Sequence, residues 1–265
     1  MIFLKTEDEI ELLRQSNLLV GRTLAEVAKL IKPGVTTAQL DRVAEEFIRD
    51  HGAVPTFKGF PNPNGAPFPS TLCTSVNDQV VHGIPGEVEL HDGDIVSVDC
   101  GVLLNGFCGD SAYTFCVGEV PSEILQLLKT TKEALYLGIE QAVHGKRLGD
   151  IGYVVQQHCE AQGYGIVREF VGHGIGRDMH EEPQVPNYGK RGSGTLLKSG
   201  MCLAIEPMVT LGERKIYLAD DRWSVHTCDG KAAAHYEHTV AVRKGKADIL
   251  SSFEFIEEVL GDKAI

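Results

Sequence analysis

A supersecondary plan used twice along the chain constrains its fold more than any other feature. Thr6 and Glu9 have the spacing of a capping box that opens a helix. Ile10, Leu13, Val20, Leu24, Val27 and Ile31 continue that helix at three- and four-residue steps until Lys32-Pro33-Gly34 stops it. A second helix is expected over about 37–51, with Leu40, Val43, Ala44, Phe47 and Ile48 on one face and Gly52 at its end. The proline-rich segment 55–70 reads as loop. Segments 94–104 and 107–117 read as a hairpin turned at Asn105-Gly106.

The pattern then restarts with a long helix over about 122–143, a stop near Gly145, a short helix over about 148–162 and a stop at Gly163. Laying Gly145 on Gly34 also places Ile151 on Leu40, Val154 on Val43, Val155 on Ala44 and Gly163 on Gly52. Strand-like runs at 201–211 and 234–243 complete the second half. The expectation is one α+β domain over 1–265, built from half-repeats of about 1–120 and 121–265 whose antiparallel sheets meet at a pseudo-two-fold axis. A site at that axis would take matching ligands from both halves.

The acids fit this expectation. Asp99 is the one acid in Val96–Val102, Asp110 sits in a mostly apolar strand, Glu206 is the one charge in Cys202–Val209, and Glu237 precedes another apolar run. An unpaired carboxylate in a buried strand is costly, and no basic residue lies near Asp99 or Glu206 in sequence. Divalent cations would offset the charge economically, because two of them bring four positive charges to four carboxylates. With His173 of Gly172-His173-Gly174-Ile175-Gly176 as a nitrogen donor, the set can hold two ions. A donor set of oxygens plus one imidazole suits Co, Mn, Fe(II) or Zn without choosing among them. Two such ions imply hydrolysis. The glycines around His173 are expected to turn the backbone tightly there. His180 lies too far from His173 for a helical H-E-x-x-H pair and suits a hydrogen bond to substrate, and His82, before Gly83 and Pro85, is a second loop histidine. The remaining histidines read as structural, with His235 and His238 of interest only as neighbours of Glu237.

Other classes fit less well. A balance of 25 Lys and Arg against 37 Asp and Glu, net charge −12, disfavours nucleic acid and anionic membranes. No run approaches a membrane span, and the N-terminus lacks the pattern of a signal peptide. Seven cysteines without a C-x-x-C pair fit a reducing cytoplasm. P-loop, nucleophile-elbow and dinucleotide motifs are absent.

Taken together, the segments around His82, 93–115, 172–188, 201–208 and 223–242 resemble the type I methionine aminopeptidases, pita-bread enzymes of metallopeptidase family M24. The resemblance implies that Asp99, Asp110, His173, Glu206 and Glu237 are metal ligands, with Asp110 and Glu237 bridging. It also implies that His82 and His180 contact the substrate and that Glu206 carries a proton. Phe68, Cys73, Met179 and Trp223 match the positions lining the methionine pocket. Met179, with Asp178 before it, and the 61–67 loop depart from the family pattern. The implied activity is removal of the initiator methionine from nascent polypeptides whose second residue is small. The implied enzyme is a cytoplasmic monomer with transient ribosome proximity and no DNA or membrane partner. A proline peptidase of the same fold is disfavoured by the short stretch before His82, and a type II enzyme by the short spacing from His173 to Glu206. A metal-free peptide-binding module would have lost ligands that are all present here.

Overall fold

A computed structural model describes residues 1–265. Four main helices occupy the expected places: α1 Glu7–Ala28, α2 Thr37–Asp50, α3 Ser122–Gln141 and α4 Leu148–Ala161. The capping box at α1 is formed, with Thr6 N–H donating to Glu9 Oε2 at 3.0 Å and Glu9 N–H to Thr6 Oγ1 at 3.3 Å. Helix α2 opens with a second capping box, Thr36 and Gln39. A short fifth helix, α5, spans Glu254–Leu260.

The hairpin pairs Ile95–Leu104 with Phe107–Cys116 over ten residues each, and Asn105 (φ 53°) and Gly106 (φ 79°) supply the two left-handed turn positions. Leu72–Val76 pairs antiparallel with the other edge of Ile95–Leu104, placing Cys73 opposite Asp99. The second half forms a five-stranded sheet in the order Asp248–Ile249, His238–Ala241, Cys202–Ile205, Gly172–Gly174, Glu181–Val185. Val54–Pro55 adds a short strand to the hairpin sheet beside Val102–Leu103, so the loop expected over 55–70 begins one residue later. There are two further three-stranded sheets. One joins Ala233–His235, Met208–Thr210 and Gly165–Ile166, and the other joins Ile216–Leu218, Val225–Thr227 and Gln79–Val81. Buried Leu24, Leu40, Val98, Phe115, Leu135, Val155, Leu203 and Val240 belong to one continuous core that runs through helices and sheets of both halves.

Two further expectations need correction. The runs 201–211 and 234–243 are not single strands. The first breaks between Ile205 and Met208 and the second between His235 and His238, so Glu206-Pro207 and Tyr236-Glu237 lie in the gaps. Pro207 has no N–H to give a ladder, and the breaks let both acids leave the sheet plane. The glycines of 172–176 do not turn the chain either, because none has positive φ. They allow close approach instead. A Cβ on Gly172 would lie 2.3 Å from Ala204 O, and one on Gly174 would lie 2.4 Å from Glu182 O. His173 occupies an irregularity in the register between those two glycines, which aims its ring out of the ladder.

Besides the pairing of Gln79–Val81 with Val225–Thr227, the halves are joined along a seam of hydrogen bonds between the hairpin strand Phe107–Cys116 and the segment 235–239. Glu237 N–H donates to Ala112 O at 2.9 Å. Ser111 Oγ donates to Glu237 O at 2.7 Å, and Thr239 Oγ1 to Asp110 O at 2.9 Å. On its other side the hairpin strand is pressed against α1 at Gly109, where a Cβ would lie 2.5 Å from Ser16 C and 2.6 Å from Asn17 N. Asn17 Oδ1 also accepts the Asp110 N–H at 3.1 Å. Gly109→Ala should therefore push α1 off the hairpin beside Asp110 and cost about 1–3 kcal/mol in urea unfolding, whereas Gly145→Ala, with nothing within 4 Å of its Cβ, should act only through its positive φ.

Candidate metal centre

Asp99 and Asp110 come from facing strands of the hairpin. Asp99 pairs with Ala112 and Asp110 with Gly101, so the two carboxylates are diagonal neighbours on one face. Their location at the seam brings in Glu237, and the gap after Ile205 brings in Glu206. Donor atoms of Asp110, His173 and Glu237 all lie within 4.8 Å of one another, and all three residues are buried. His173 Nε2 lies 3.5 Å from Asp110 Oδ2 and 3.7 Å from Glu206 Oε1. Its Nδ1–H donates to Gly174 O at 3.0 Å, which leaves Nε2 as the free donor. All five sequence-predicted ligands thus line a single cavity.

The electrostatics show how poorly protein alone accommodates these acids. No lysine or arginine pairs with Asp99, Asp110, Glu206 or Glu237. Asp99 Oδ1, Asp110 Oδ1 and Glu237 Oε1 are buried without a hydrogen-bond partner. Burial, then the charges of Asp110 and Glu206, hold the Asp99 carboxyl well above the usual carboxylate range. Burial and the same two charges, with Asp99, do the same for Glu237. Burial also raises Asp110, partly opposed by its hydrogen bond to His173. Burial works against a charge on His173, but Asp110 and Glu206 beside it raise its pKa nonetheless. Orphaned hard oxygens clustered about one imidazole fit divalent cations.

The carboxylates sit in a cavity of about 460 Å³ whose other walls are aromatic. Phe68 meets Trp223 edge-on with ring centroids 5.1 Å apart, and His82 meets Phe170 at 5.2 Å. Trp223 Nε1–H donates to Ala66 O at 3.0 Å, and Asn62 Nδ2 donates to Arg222 O at 3.0 Å, so the 61–67 loop is pinned over the wall. His82 adopts left-handed backbone, φ 60°, a strained conformation that points its ring into the cavity. His180 lies edge-on to His173 with centroids 4.4 Å apart. Burial pushes His82 down to about 4. The protein packed about His180, then neighbouring His173, pushes it to about 4 as well. Both rings are neutral at pH 7 and can donate one N–H. The buried Cys73 thiol is held well above its ordinary value by burial and by Asp99, so it lines the wall as a neutral group.

Met179 does not line the cavity. It packs with Ile10, Leu13, Phe107 and Ile175, and its Cε faces Gly101, whereas the adjacent His180 takes the cavity side. Phe57, Phe60, Phe170, Met208 and His235 line the cavity without having been expected there. The buried His235 places Nε2 3.5 Å from Glu206 Oε2. Its position two residues before Glu237 was the one available signal.

The family model described as Metallopeptidase family M24 matches residues 11–244. The chain belongs to metallopeptidase family M24. As a member of that family it uses divalent metal, and its fold is the pita-bread fold. This M24 chain is 51% identical over 255 residues to the methionine aminopeptidase of Clostridium acetobutylicum, covering 96% of this chain and 100% of the relative. It is 47% identical to methionine aminopeptidase 1 of Bacillus subtilis, covering 95% of this chain and 99% of the relative. The crystal structure of methionine aminopeptidase from Rickettsia prowazekii superposes with a TM-score of 0.91 at 39% identity, covering 95% of this chain and 100% of that one. An Xaa-Pro dipeptidase from Bacillus anthracis shares the fold at a TM-score of 0.73 and 21% identity, over 94% of this chain and 62% of that one.

In the metal-free M24 chain, Asp99 and Glu237 bind protons more tightly folded than unfolded, so their contribution to stability is present at low pH and lost as pH rises through their folded values. His82, His180 and His238, pushed down to about 4, about 4 and about 3, act with the opposite sign, but only below about 6.5, the ordinary imidazole value. Over the range in which Asp99 and Glu237 titrate in the folded state, the metal-free wild type should lose stability with rising pH, and Glu237→Gln should flatten that slope. Mn²⁺ at a hundredfold excess over its Kd should stabilise the wild type by about 2.7 kcal/mol and Glu237→Gln far less, as read by thermal and urea unfolding.

Proposed function

We propose that this chain is a type I methionine aminopeptidase, one catalytic domain of two half-repeats, which removes the initiator methionine from nascent polypeptides when the second residue is small. The observation that carries the reading is the convergence of Asp99, Asp110, Glu206 and Glu237 with His173 at one end of an aromatic cavity of about 460 Å³. Those five residues would hold two divalent ions, since Asp99, Asp110 and Glu237 each have a buried oxygen that no protein donor reaches. Mn, Fe(II), Co and Zn all suit the donors. Such ions supply polarisation of the scissile carbonyl and acidification of an attacking water.

The chain's own residues do the rest. The wall of Phe60, Phe68, Phe170 and Trp223, with Cys73, takes an apolar side chain and excludes water from it. His180, neutral at pH 7, donates its N–H to the scissile carbonyl, where negative charge develops. Neutral His82, which also lines the cavity, contacts the amine side of the same bond. Glu206, adjacent to both His173 and His235, carries the proton from the attacking water to the departing amine. Steric exclusion beside His180 and Phe60, whose rings meet edge-on at 5.1 Å, limits the second residue. The enzyme would work as a cytoplasmic monomer, and only its substrate, an emerging chain, would bring it near the ribosome, since a net charge of −12 disfavours tight RNA binding.

The test is a turnover profile. Metal-loaded protein should release methionine from Met-Gly and Met-Ala peptides and leave Met-Leu and Ala-Pro peptides intact. Chelation should abolish the activity, and His180→Ala should lower kcat about a hundredfold. Cleavage of Ala-Pro in preference to Met-Ala would make the chain a proline peptidase instead.

A further inference from the structure

Two further acids, Glu181 and Glu182, line the cavity beside the four already described, and Glu181 behaves differently. Glu181 follows His180 directly, and its Oε2 meets Lys5 Nζ at 2.5 Å, with only 6% of the lysine side chain and 8% of the glutamate side chain exposed. Lys5 comes from the segment before α1. Its own N–H donates to Gly200 O at 2.7 Å, which fixes where the side chain sets out. The other oxygen of Glu181 accepts the Arg177 N–H at 3.0 Å and so closes the 177–181 loop on itself. Gly176 provides the slot: a Cβ there would lie 2.2 Å from Glu181 Oε1 and 2.4 Å from Lys5 Cε. The loop is also held where Cys108 N–H donates to Gly176 O at 2.8 Å.

We propose that Lys5 and Glu181 are positioning residues for His180, an ion pair that clamps the 177–181 loop so that the imidazole faces the reacting carbonyl while the Glu181 carboxylate is kept out of the metal donor set. The inference rests on the function proposed above. Two observations support it independently: the pair is buried within the wall of the reaction cavity, and the backbone at Gly176 is shaped around both of its members. A clamp of this kind acts on the chemical step. A displacement of about 1 Å in a reacting group costs on the order of a hundredfold in rate, whereas the apolar wall that binds the methionine side chain comes from other segments.

The experiment compares Lys5→Met, Lys5→Arg and Gly176→Ala with the wild type by kcat and KM on a Met-Ala peptide. Amide hydrogen exchange of residues 176–181 is measured alongside in the metal-free proteins. Lys5→Met should lower kcat about tenfold or more with KM within about threefold, and should speed exchange in 176–181 while Cys202–Ile205 keeps its protection. Lys5→Arg, which restores the charge, should recover most of kcat. Gly176→Ala, which removes no charge but displaces the pair, should reproduce the Lys5→Met loss. Wild-type kcat in Lys5→Met would overturn the proposal. So would a uniform rise in exchange, with Lys5→Arg as defective as Lys5→Met, since that is the signature of general destabilisation. The exchange readout separates this inference from the activity assignment: a wild type inactive on Met-Ala whose 176–181 amides still loosen in Lys5→Met would refute the assignment and leave the clamp standing.

Discussion

Mutual repulsion among carboxylates held in a largely apolar interior is the constraint around which this molecule is built. Asp99, Asp110 and Glu237 each keep a buried oxygen that nothing in the protein satisfies, and their charges raise one another's pKa values on top of the effect of burial. A fold can hold such a cluster only if the backbone carrying it is fixed from several directions. The seam supplies that rigidity. Ala112 O and Ser111 Oγ hold the main chain of Glu237, Thr239 Oγ1 holds the carbonyl of Asp110, and Asn17 of α1 accepts the Asp110 N–H. The acids therefore cannot relax apart without opening the junction between the two halves, so cation binding and folding draw on the same contacts.

Much of this was legible in the sequence because charge inside an apolar run is a strong signal. Asp99, Asp110, Glu206 and Glu237 stood out for that reason, and the structure brings all four to one cavity. Helix limits were legible within two residues, because Thr6, Gly52, Gly145 and Gly163 are caps and stops with local causes, except at the end of α1, which stops at Ala28 rather than running through Ile31. The breaks at 206–207 and 236–237 were less accessible. Pro207 hinted at the first, but the second depends on which sheet the chain joins next, and period-two patterning is blind to that. The glycines of 172–176 were misread because a glycine needed for close approach looks the same in sequence as one needed for a turn; only the positions of Ala204 O and Glu182 O decide between them.

Side-chain direction was the least readable property. Met179 and His180 are adjacent, yet one enters the α1-side core and the other the cavity. Loop residues carry no periodicity from which to tell them apart. For the same reason Phe57 and Phe60 of the proline-rich loop, and Phe170 before the glycine run, could not be assigned to the cavity wall. Pairing between distant charges is equally hidden: nothing near Lys5 in the chain points to Glu181, and a lysine just ahead of a capping box reads as solvated.

Glu181 shows why the pairing state of an acid matters more than its presence in the cavity. It and Glu237 both line the cavity, but Glu181 has an ammonium at 2.5 Å and an amide N–H at 3.0 Å, whereas Glu237 has neither. The paired carboxylate is satisfied within the protein and gains nothing from an added cation. The unpaired one is stabilised by little else. The neutral histidines follow the same logic, since an imidazole held at a pKa of about 4 adds no positive charge that would compete with a cation for the carboxylates, yet still offers an N–H to a substrate oxygen. The division of labour in the cavity thus comes from which groups the fold leaves unsatisfied: orphaned oxygens for cations, neutral rings for substrate, and one fully paired acid to hold a ring in place.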